Sequence, residues 1–206
     1  MIDIFYIKVR QTIKKFIFFL FPENSKIINI FVSFDIFLRR LGILKNINKG
    51  KFEYQGLTFY SPINDTSIET SLITNNTYEP EVNKEIKSTL NNGSIFIDGG
   101  ANIGFFSLIA SKIVGPTGAV IAFEPTPSTL NFLEKNISIN KINNIVVVDK
   151  GLSSSEKQLS FLLSNDNPEA NFIVSKEDEN LQNKGKIIKI STISIDKFCS
   201  ENNINK

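Results

Sequence analysis

Three short apolar runs alternate with two longer segments of helical character between residues 94 and 149. The apolar runs occupy 94–97, 119–123 and 145–148, and an acidic residue follows each of them. Uninterrupted apolar runs indicate strands that are covered on both faces, as in a parallel sheet with helices on either side. The order strand, helix, strand, helix, strand therefore predicts an α/β fold with a doubly wound parallel sheet.

Two apolar patterns before this region predict helices. Apolar residues with interspersed lysines and arginines occupy the first 21 residues, and their longest apolar run, 16–21, is far shorter than the roughly 20 residues that a membrane span needs. Apolar positions in 27–41 have helical spacing. We predict a helical extension over 1–50 and a single domain over 51–206. Residues 1–21 have two open interpretations, a helix packed on the domain or a basic amphipathic helix that contacts a membrane surface peripherally.

Weaker patterns flank the central region. Residues 51–60 alternate like a strand, and Pro80 with its acidic neighbours suits the first turn of a helix that runs to about Leu90. After residue 151, the alternation at 159–163 and the short apolar run 172–174 predict an antiparallel hairpin. An isoleucine-rich segment then predicts one more strand near the end of the chain.

The turn after the first central strand is built from small residues. Asp98 precedes Gly99 and Gly100, and Gly104 stands where the next helix begins. Small residues let a strand turn tightly into a helix and let a ligand approach backbone N–H groups at the helix N-terminus. Glu124 ends the next strand, 20 residues beyond Gly104, where a carboxylate can accept hydrogen bonds from ribose hydroxyls. The pattern predicts a site for a nucleoside cofactor.

Composition narrows the function classes. The formal net charge is +2, with +6 in residues 1–50 and −4 in residues 51–206, so no general affinity for nucleic acid is expected and we predict no nucleic-acid partner. The one cysteine, Cys199, cannot form an internal disulfide and suits a reducing, cytoplasmic location. The chain has no histidine, which removes the commonest general base and metal ligand, and we predict no metal site.

The segments 98–104 (DGGANIG) and 122–125 (AFEP) together resemble the FkbM-type family of S-adenosylmethionine-dependent methyltransferases. The resemblance extends over about 52–200 and implies a Rossmann-like class I methyltransferase sheet. It implies S-adenosylmethionine as the cofactor and methyl transfer to a hydroxyl of a sugar or secondary metabolite. The expected partner is thus a small-molecule or glycan acceptor.

The same resemblance assigns roles to individual residues. The glycines and Ala101 pass under the methionine portion, Asp98 and Asn102 bind it, Glu124 receives the ribose hydroxyls, and Asp149 or the backbone near Gly151 borders the adenine. The implied cofactor-binding set is Asp98, Gly99, Gly100, Ala101, Asn102, Gly104, Glu124 and Asp149.

Some of these residues also have purely structural interpretations. Asp98 could cap the following helix, Asn102 could favour the turn, and Asp149 could be an exposed residue at a strand end. No catalytic base is assigned, and Glu79, Glu81 and Asp149 are candidates by proximity to the strand ends.

Family members would be expected to continue beyond Lys206 into further core strands, so the sheet is interpreted as the first half of the family's sheet. This leaves two other hypotheses open. One is a non-catalytic remnant that binds cofactor weakly or not at all. The other is an NAD-binding Rossmann domain, which Asp98 disfavours because its carboxylate would lie close to the pyrophosphate.

Overall fold

The structure, a computed structural model, describes residues 50–62, 68, 71–72, 77–164, 171–174 and 185–204. The chain divides into two compact units, Met1–Ile86 and Lys87–Lys206. Residues 1–49 lie outside the described residues. The predicted helical extension, its two interpretations and the boundary between residues 50 and 51 therefore stay predictions.

A β-hairpin occupies the described start of the first unit. β1 (Lys51–Tyr54) pairs antiparallel with β2 (Leu57–Tyr60), and Leu57 and Phe59 are buried. The sequence pattern predicted one strand over 51–60. The chain instead reverses at Gln55 and Gly56, whose φ angles of 49° and 70° match a two-residue hairpin turn. Helix α1 (Pro80–Thr89) follows, with proline in its first turn as predicted.

The predicted α/β fold is confirmed in the second unit. β3 (Ile95–Gly99), α2 (Phe105–Val114), β4 (Ala119–Phe123), α3 (Pro127–Ile139) and β5 (Ile145–Val148) follow one another along the chain. The three strands form a parallel sheet in the order β3-β4-β5. Gly99 lies opposite Phe123, and Phe123 lies opposite Val148, so all three strands end at one edge.

β4 is the central strand, and its apolar run is buried from Val120 to Phe123. On one face, Ala122 packs with Ala101 and with Leu133 of α3. On the other face, Ile121 and Phe123 pack with Ile193. Coverage on both faces explains why β4 is a continuous apolar run rather than an alternating one.

A second sheet of four strands follows, in the order β6-β9-β7-β8. Its strands are β6 (Gly151–Leu152), β7 (Lys157–Ser164), β8 (Phe172–Val174) and β9 (Gly185–Ile193). β7 is antiparallel to both β8 and β9, which confirms the predicted hairpin. The short helix α4 (Ile195–Glu201) begins after Ser194, whose hydroxyl accepts the Lys197 backbone N–H at 3.2 Å.

Within the described part of the chain, no helix has the length and apolarity needed to cross a membrane. The cytoplasmic location inferred from the single cysteine stays a prediction.

Two glycines of the turn after β3 provide a matched test of packing. Both have left-handed φ angles, 84° at Gly100 and 85° at Gly104. A Cβ at Gly100 would meet nothing within 4 Å, whereas one at Gly104 would lie 2.5 Å from Cδ1 of the fully buried Leu133. We expect Gly100→Ala to lower the free energy of unfolding by about 1–2 kcal/mol, the cost of the left-handed backbone.

Gly104→Ala should lower the free energy of unfolding by about 1–3 kcal/mol more, because two fully buried side chains, Leu133 and Leu108, would have to shift away from the new methyl group. Urea unfolding of both variants measures the difference. Equal losses would show that the Leu133 side chain yields and that close packing does not require glycine at position 104.

Candidate cofactor-binding site

The glycine-rich turn folds over the end of β4. The backbone N–H groups of Gly100 and Ala101 both donate to the carbonyl oxygen of Phe123 at 2.9 Å. Asn102 then adopts a left-handed φ of 51°, and the Gly104 N–H donates to the Ala101 carbonyl at 2.8 Å. The turn is thereby fixed beside Glu124, the next residue of the chain after Phe123.

Glu124 is buried, with 7% of its surface exposed, yet it lines a cavity. Its Oε2 accepts the backbone N–H of Asn102 at 3.0 Å, and its Oε1 accepts that of Thr126 at 2.9 Å. Burial raises the pKa of the Glu124 carboxyl above its ordinary value, against the effect of these hydrogen bonds. The Thr126 side chain adds a third hydrogen bond, and the carboxylate, with about four acceptor sites, keeps capacity for a further donor.

Asp98 joins β3 to helix α2. Its Oδ2 accepts the hydroxyl of the fully buried Ser107 at 2.5 Å, and the Ser107 backbone N–H also hydrogen-bonds to this carboxylate. Ser107 lies in the first turn of α2, so Asp98 accepts one of the backbone N–H groups at that helix end, where Gly104 is the N-cap. Burial raises the pKa of the Asp98 carboxyl, and the negative charge of Asp98 in turn raises that of Glu124.

A cavity of about 430 Å³ lies at this edge of the sheet, within the size range of small-molecule sites. Of the eight residues expected to bind the cofactor, four line it: Gly99, Gly100, Asn102 and Glu124. Asp98 does not line the cavity and contacts Ser107 instead, and Ala101 and Gly104 are buried within the turn. Asp149 is exposed at the end of β5 and is absent from the lining, whereas Gly151 contributes to it.

The second sheet supplies a wall that the sequence analysis did not assign to the site. Its contributions are Leu152, Phe161, Ile173, Ile190 and Thr192, and Asn171, which directly precedes β8, also lines the cavity. Alternation at 159–163 predicted a strand, but alternation does not reveal which surface one face of that strand meets. The FkbM-type resemblance does connect the backbone near Gly151 with the site, and in the structure a Cβ at Gly151 would lie 3.4 Å from Ile190 Cδ1 and 3.7 Å from Pro125 Cγ.

The candidate catalytic bases are Asp149, Glu79 and Glu81. Asp149 is exposed, and Glu79 and Glu81 belong to the first compact unit. Each therefore stays a prediction. Among the residues that the structure describes, no group of three or more Cys, Asp or Glu side chains is arranged to hold a metal ion.

Comparisons with known proteins show which proteins this chain is similar to. The family model of the TRM5/TYW2 methyltransferase domain matches residues 73–198. A probable cobalt-precorrin-6B C(15)-methyltransferase (decarboxylating) from Sulfurisphaera tokodaii is 26% identical over 106 residues, which are 50% of this chain and 55% of that protein. The chain thus spans about half the length of this curated relative.

Two solved structures are similar over about half of the chain. Trm5b from Pyrococcus abyssi is 22% identical with a TM-score of 0.38, over 50% of this chain and 29% of that one. TYW2 of M. jannaschii, solved in complex with AdoMet, is 22% identical with a TM-score of 0.35, over 48% and 41% respectively.

These comparisons change two expectations. They support the general class of S-adenosylmethionine-dependent methyltransferases and do not show the FkbM family in particular. The expectation of no nucleic-acid partner is wrong, because TRM5 and TYW2, which define the matching family model, are tRNA methyltransferases. A near-neutral net charge argues against general attraction to nucleic acid, but it does not report on recognition of one folded RNA at a specific surface.

The raised carboxyl pKa values predict how stability depends on pH. In the folded chain the pKa values of Asp98 and Glu124 are raised above their ordinary values of 3.8 and 4.5. Both carboxyls therefore bind protons more readily in the folded chain than in the unfolded one. The stability they contribute is complete below those values and is lost as pH rises through the raised ones. Asp98→Asn should therefore reduce the fall in unfolding free energy between about pH 4 and neutrality.

Urea unfolding at a series of pH values measures this slope. Asp149→Asn removes an exposed carboxyl at the end of β5, which β4 separates from β3, and it is the matched control with which the slope of Asp98→Asn is compared. A slope in Asp98→Asn equal to that of the wild type would contradict the prediction.

Proposed function

The chain belongs to the TRM5/TYW2 methyltransferase domain family, and on this basis we propose that its cavity binds S-adenosylmethionine and that the chain transfers the methyl group to an acceptor. The observation that carries the proposal is Glu124, a buried carboxylate that faces the cavity with both oxygens held by backbone N–H groups.

Glu124 has the chemistry that a ribose requires. Two vicinal hydroxyls need two acceptors at fixed separation, and the two oxygens of one carboxylate provide them. The Asn102 and Thr126 N–H groups hold the carboxylate in one orientation before any ligand arrives. Its residual acceptor capacity is then directed into the cavity, where Gly99 and Gly100 leave the adjacent backbone open to the ligand.

The charge of the cavity favours a cationic ligand over a dinucleotide. Asp98 and Glu124 carry the negative charges of the turn and the adjacent strand end, and none of the described residues that line the cavity is lysine or arginine. S-adenosylmethionine carries a sulfonium and an ammonium group against one carboxylate, so it is cationic overall. The pyrophosphate of NAD would lie near two carboxylates without a cationic partner, which argues against the NAD-binding alternative.

When bound, S-adenosylmethionine supplies an electrophilic methyl group on its sulfonium. The contribution of this chain is to bind and orient it: Glu124 fixes the ribose, and the turn 99–102 fixes the adjoining portion. Positioning of this kind accounts for much of the rate in group transfer. We assign no general base to the acceptor.

For the acceptor we propose an RNA, with tRNA as the first class to test. Membership of the TRM5/TYW2 family supports this proposal. Binding of RNA depends on contacts from lysine and arginine to phosphates. Residues 1–50 carry a net charge of +6 and residues 51–206 a net charge of −4, so we expect the phosphate contacts to depend on the first 50 residues.

A hydroxyl of a small molecule or glycan is the second candidate. The resemblance of segments 98–104 and 122–125 to the FkbM-type family supports it. The similarity to a probable cobalt-precorrin-6B C(15)-methyltransferase supports a small-molecule acceptor but not a hydroxyl in particular, because that name denotes transfer to a carbon. The non-catalytic alternative is an outcome of the transfer experiment below.

Calorimetric titration with S-adenosylhomocysteine tests the cofactor site. Glu124→Gln preserves shape but removes the charge and one acceptor oxygen. We expect its Kd to be about 10- to 100-fold higher than that of the wild type, since hydrogen bonds to charged groups contribute about 1.5–3 kcal/mol each. Glu134→Gln, at an exposed position on α3, is the matched control and should bind like the wild type.

Absence of saturable binding by the folded wild-type chain would refute the proposed function. Equal affinity in Glu124→Gln and wild type would remove Glu124 from the ribose site while leaving cofactor binding intact.

Transfer of radiolabelled methyl from S-adenosylmethionine separates the acceptor classes. We expect label in total tRNA supplied as acceptor. Label that appears solely in a mixture of glycans and hydroxylated metabolites would establish the second candidate instead. Cofactor binding without transfer to either mixture would favour the non-catalytic alternative.

A further inference from the structure

We propose that the second sheet supplies the wall against which the adenine ring of the cofactor packs. The wall consists of Phe161, Ile173 and Ile190, and we call it the base wall. This inference rests on the proposed function, because it assumes that S-adenosylmethionine occupies the cavity. It assigns to β7, β8 and β9 a part in ligand binding that the glycine-rich turn and Glu124 do not provide.

Strand register places the three side chains on one face of the sheet. Phe161 of β7 lies opposite Ile173 of β8. Leu159, two residues before Phe161 and hence on the same face, lies opposite Ile190 of β9. Paired residues of adjacent antiparallel strands project to the same side. Phe161, Ile173 and Ile190 all line the cavity, so this is the face that meets it.

One end of the base wall lies beside the residue that follows Glu124. A Cβ built on Gly151 would be 3.4 Å from Ile190 Cδ1, 3.5 Å from Thr192 Cγ2 and 3.7 Å from Pro125 Cγ. Pro125 is directly bonded to Glu124, the proposed ribose ligand. A base attached to that ribose therefore has the wall within its reach.

The surface at that point is apolar, including its threonine. The Thr192 hydroxyl is directed to the carbonyl oxygens of Ser155 and Lys157, at 2.9 and 3.1 Å, while its methyl group faces Gly151. A planar heteroaromatic ring is the part of the cofactor that presents a large apolar face. The methionine portion is charged and suits the turn and its carboxylates instead.

The exposure of Ile173 leaves apolar surface at the base wall that a ligand can cover. Ile173 lines the cavity and has 51% of its surface exposed. Covering such a side chain with a ring removes apolar surface from water and is favourable. Asp149, expected to border the adenine, is itself exposed and does not line the cavity, so in this proposal the base wall replaces it.

The test compares two phenylalanines of the same sheet. Phe161 lines the cavity, whereas Phe172 lies opposite Leu162 on the other face, has 43% of its surface exposed and is absent from the lining. We would titrate wild type, Phe161→Ala and Phe172→Ala with S-adenosylhomocysteine. Methylthioadenosine, which retains the base and ribose but lacks the amino-acid end, is the second probe.

Phe161→Ala should raise the Kd of both probes by the same factor, about 5- to 100-fold, because base stacking on an aromatic side chain is lost. Phe172→Ala should leave both Kd values unchanged. Ile173→Ala, at a largely exposed position, should give a smaller rise for both probes, and it keeps the test valid if Phe161→Ala is poorly folded.

Each other outcome overturns the inference in a distinguishable way. Failure of the wild type to bind either probe overturns the proposed function and the base wall together. Wild-type binding that is unaffected by Phe161→Ala and Ile173→Ala overturns the base wall alone. Weaker binding of S-adenosylhomocysteine with unchanged methylthioadenosine would place the wall at the amino-acid end, and a loss confined to methyl transfer would assign it to the acceptor.

Discussion

The site depends on one contact, in which the turn after β3 closes over the end of β4. The carbonyl oxygen of Phe123 accepts two consecutive N–H groups, from Gly100 and Ala101, and the next N–H, from Asn102, reaches the Glu124 carboxylate. Three successive donors from one strand end thus meet two successive residues of its neighbour. Left-handed backbone at positions 100, 102 and 104 makes this geometry possible, and glycine provides it without steric cost at two of them.

That contact explains why a carboxylate can be kept buried at the edge of the sheet. Removing Glu124 from water raises its pKa, and two backbone N–H groups offset part of the desolvation cost. Burial likewise raises the pKa of Asp98, and hydrogen bonds from Ser107 offset part of the desolvation cost. Both carboxylates are therefore held in position before ligand binding, so a cationic nucleoside would gain their attraction with little reorganisation of the protein.

The two sheets give the cavity two chemically different sides. The turn and Glu124 provide backbone polar groups and negative charge, whereas the second sheet provides Leu152, Phe161, Ile173 and Ile190. A ligand with a charged end, a sugar and an apolar ring matches this division. Family membership establishes the methyltransferase class, and the division of the cavity is what makes S-adenosylmethionine physically suited to it.

The sequence by itself determined the central βαβαβ unit, because uninterrupted apolar runs, glycines and proline act locally and the helix and strand periods are unambiguous there. It also located Glu124, since the distance from the glycine-rich turn to the next strand end depends on the length of one helix. It could not divide 51–60 into two strands, because a two-residue turn at Gln55 and Gly56 leaves almost no trace in the apolar pattern.

Tertiary structure alone decided which of the expected residues face the cavity. Asp98 and Asp149 both stand at strand ends in the sequence, yet Asp98 is held by Ser107 on α2 and Asp149 is exposed. The base wall could not be predicted from the sequence either, because alternation shows that β7 has an apolar face and does not show what that face contacts. Such information depends on contacts between residues distant in the chain, and these contacts are formed only when the two sheets come together.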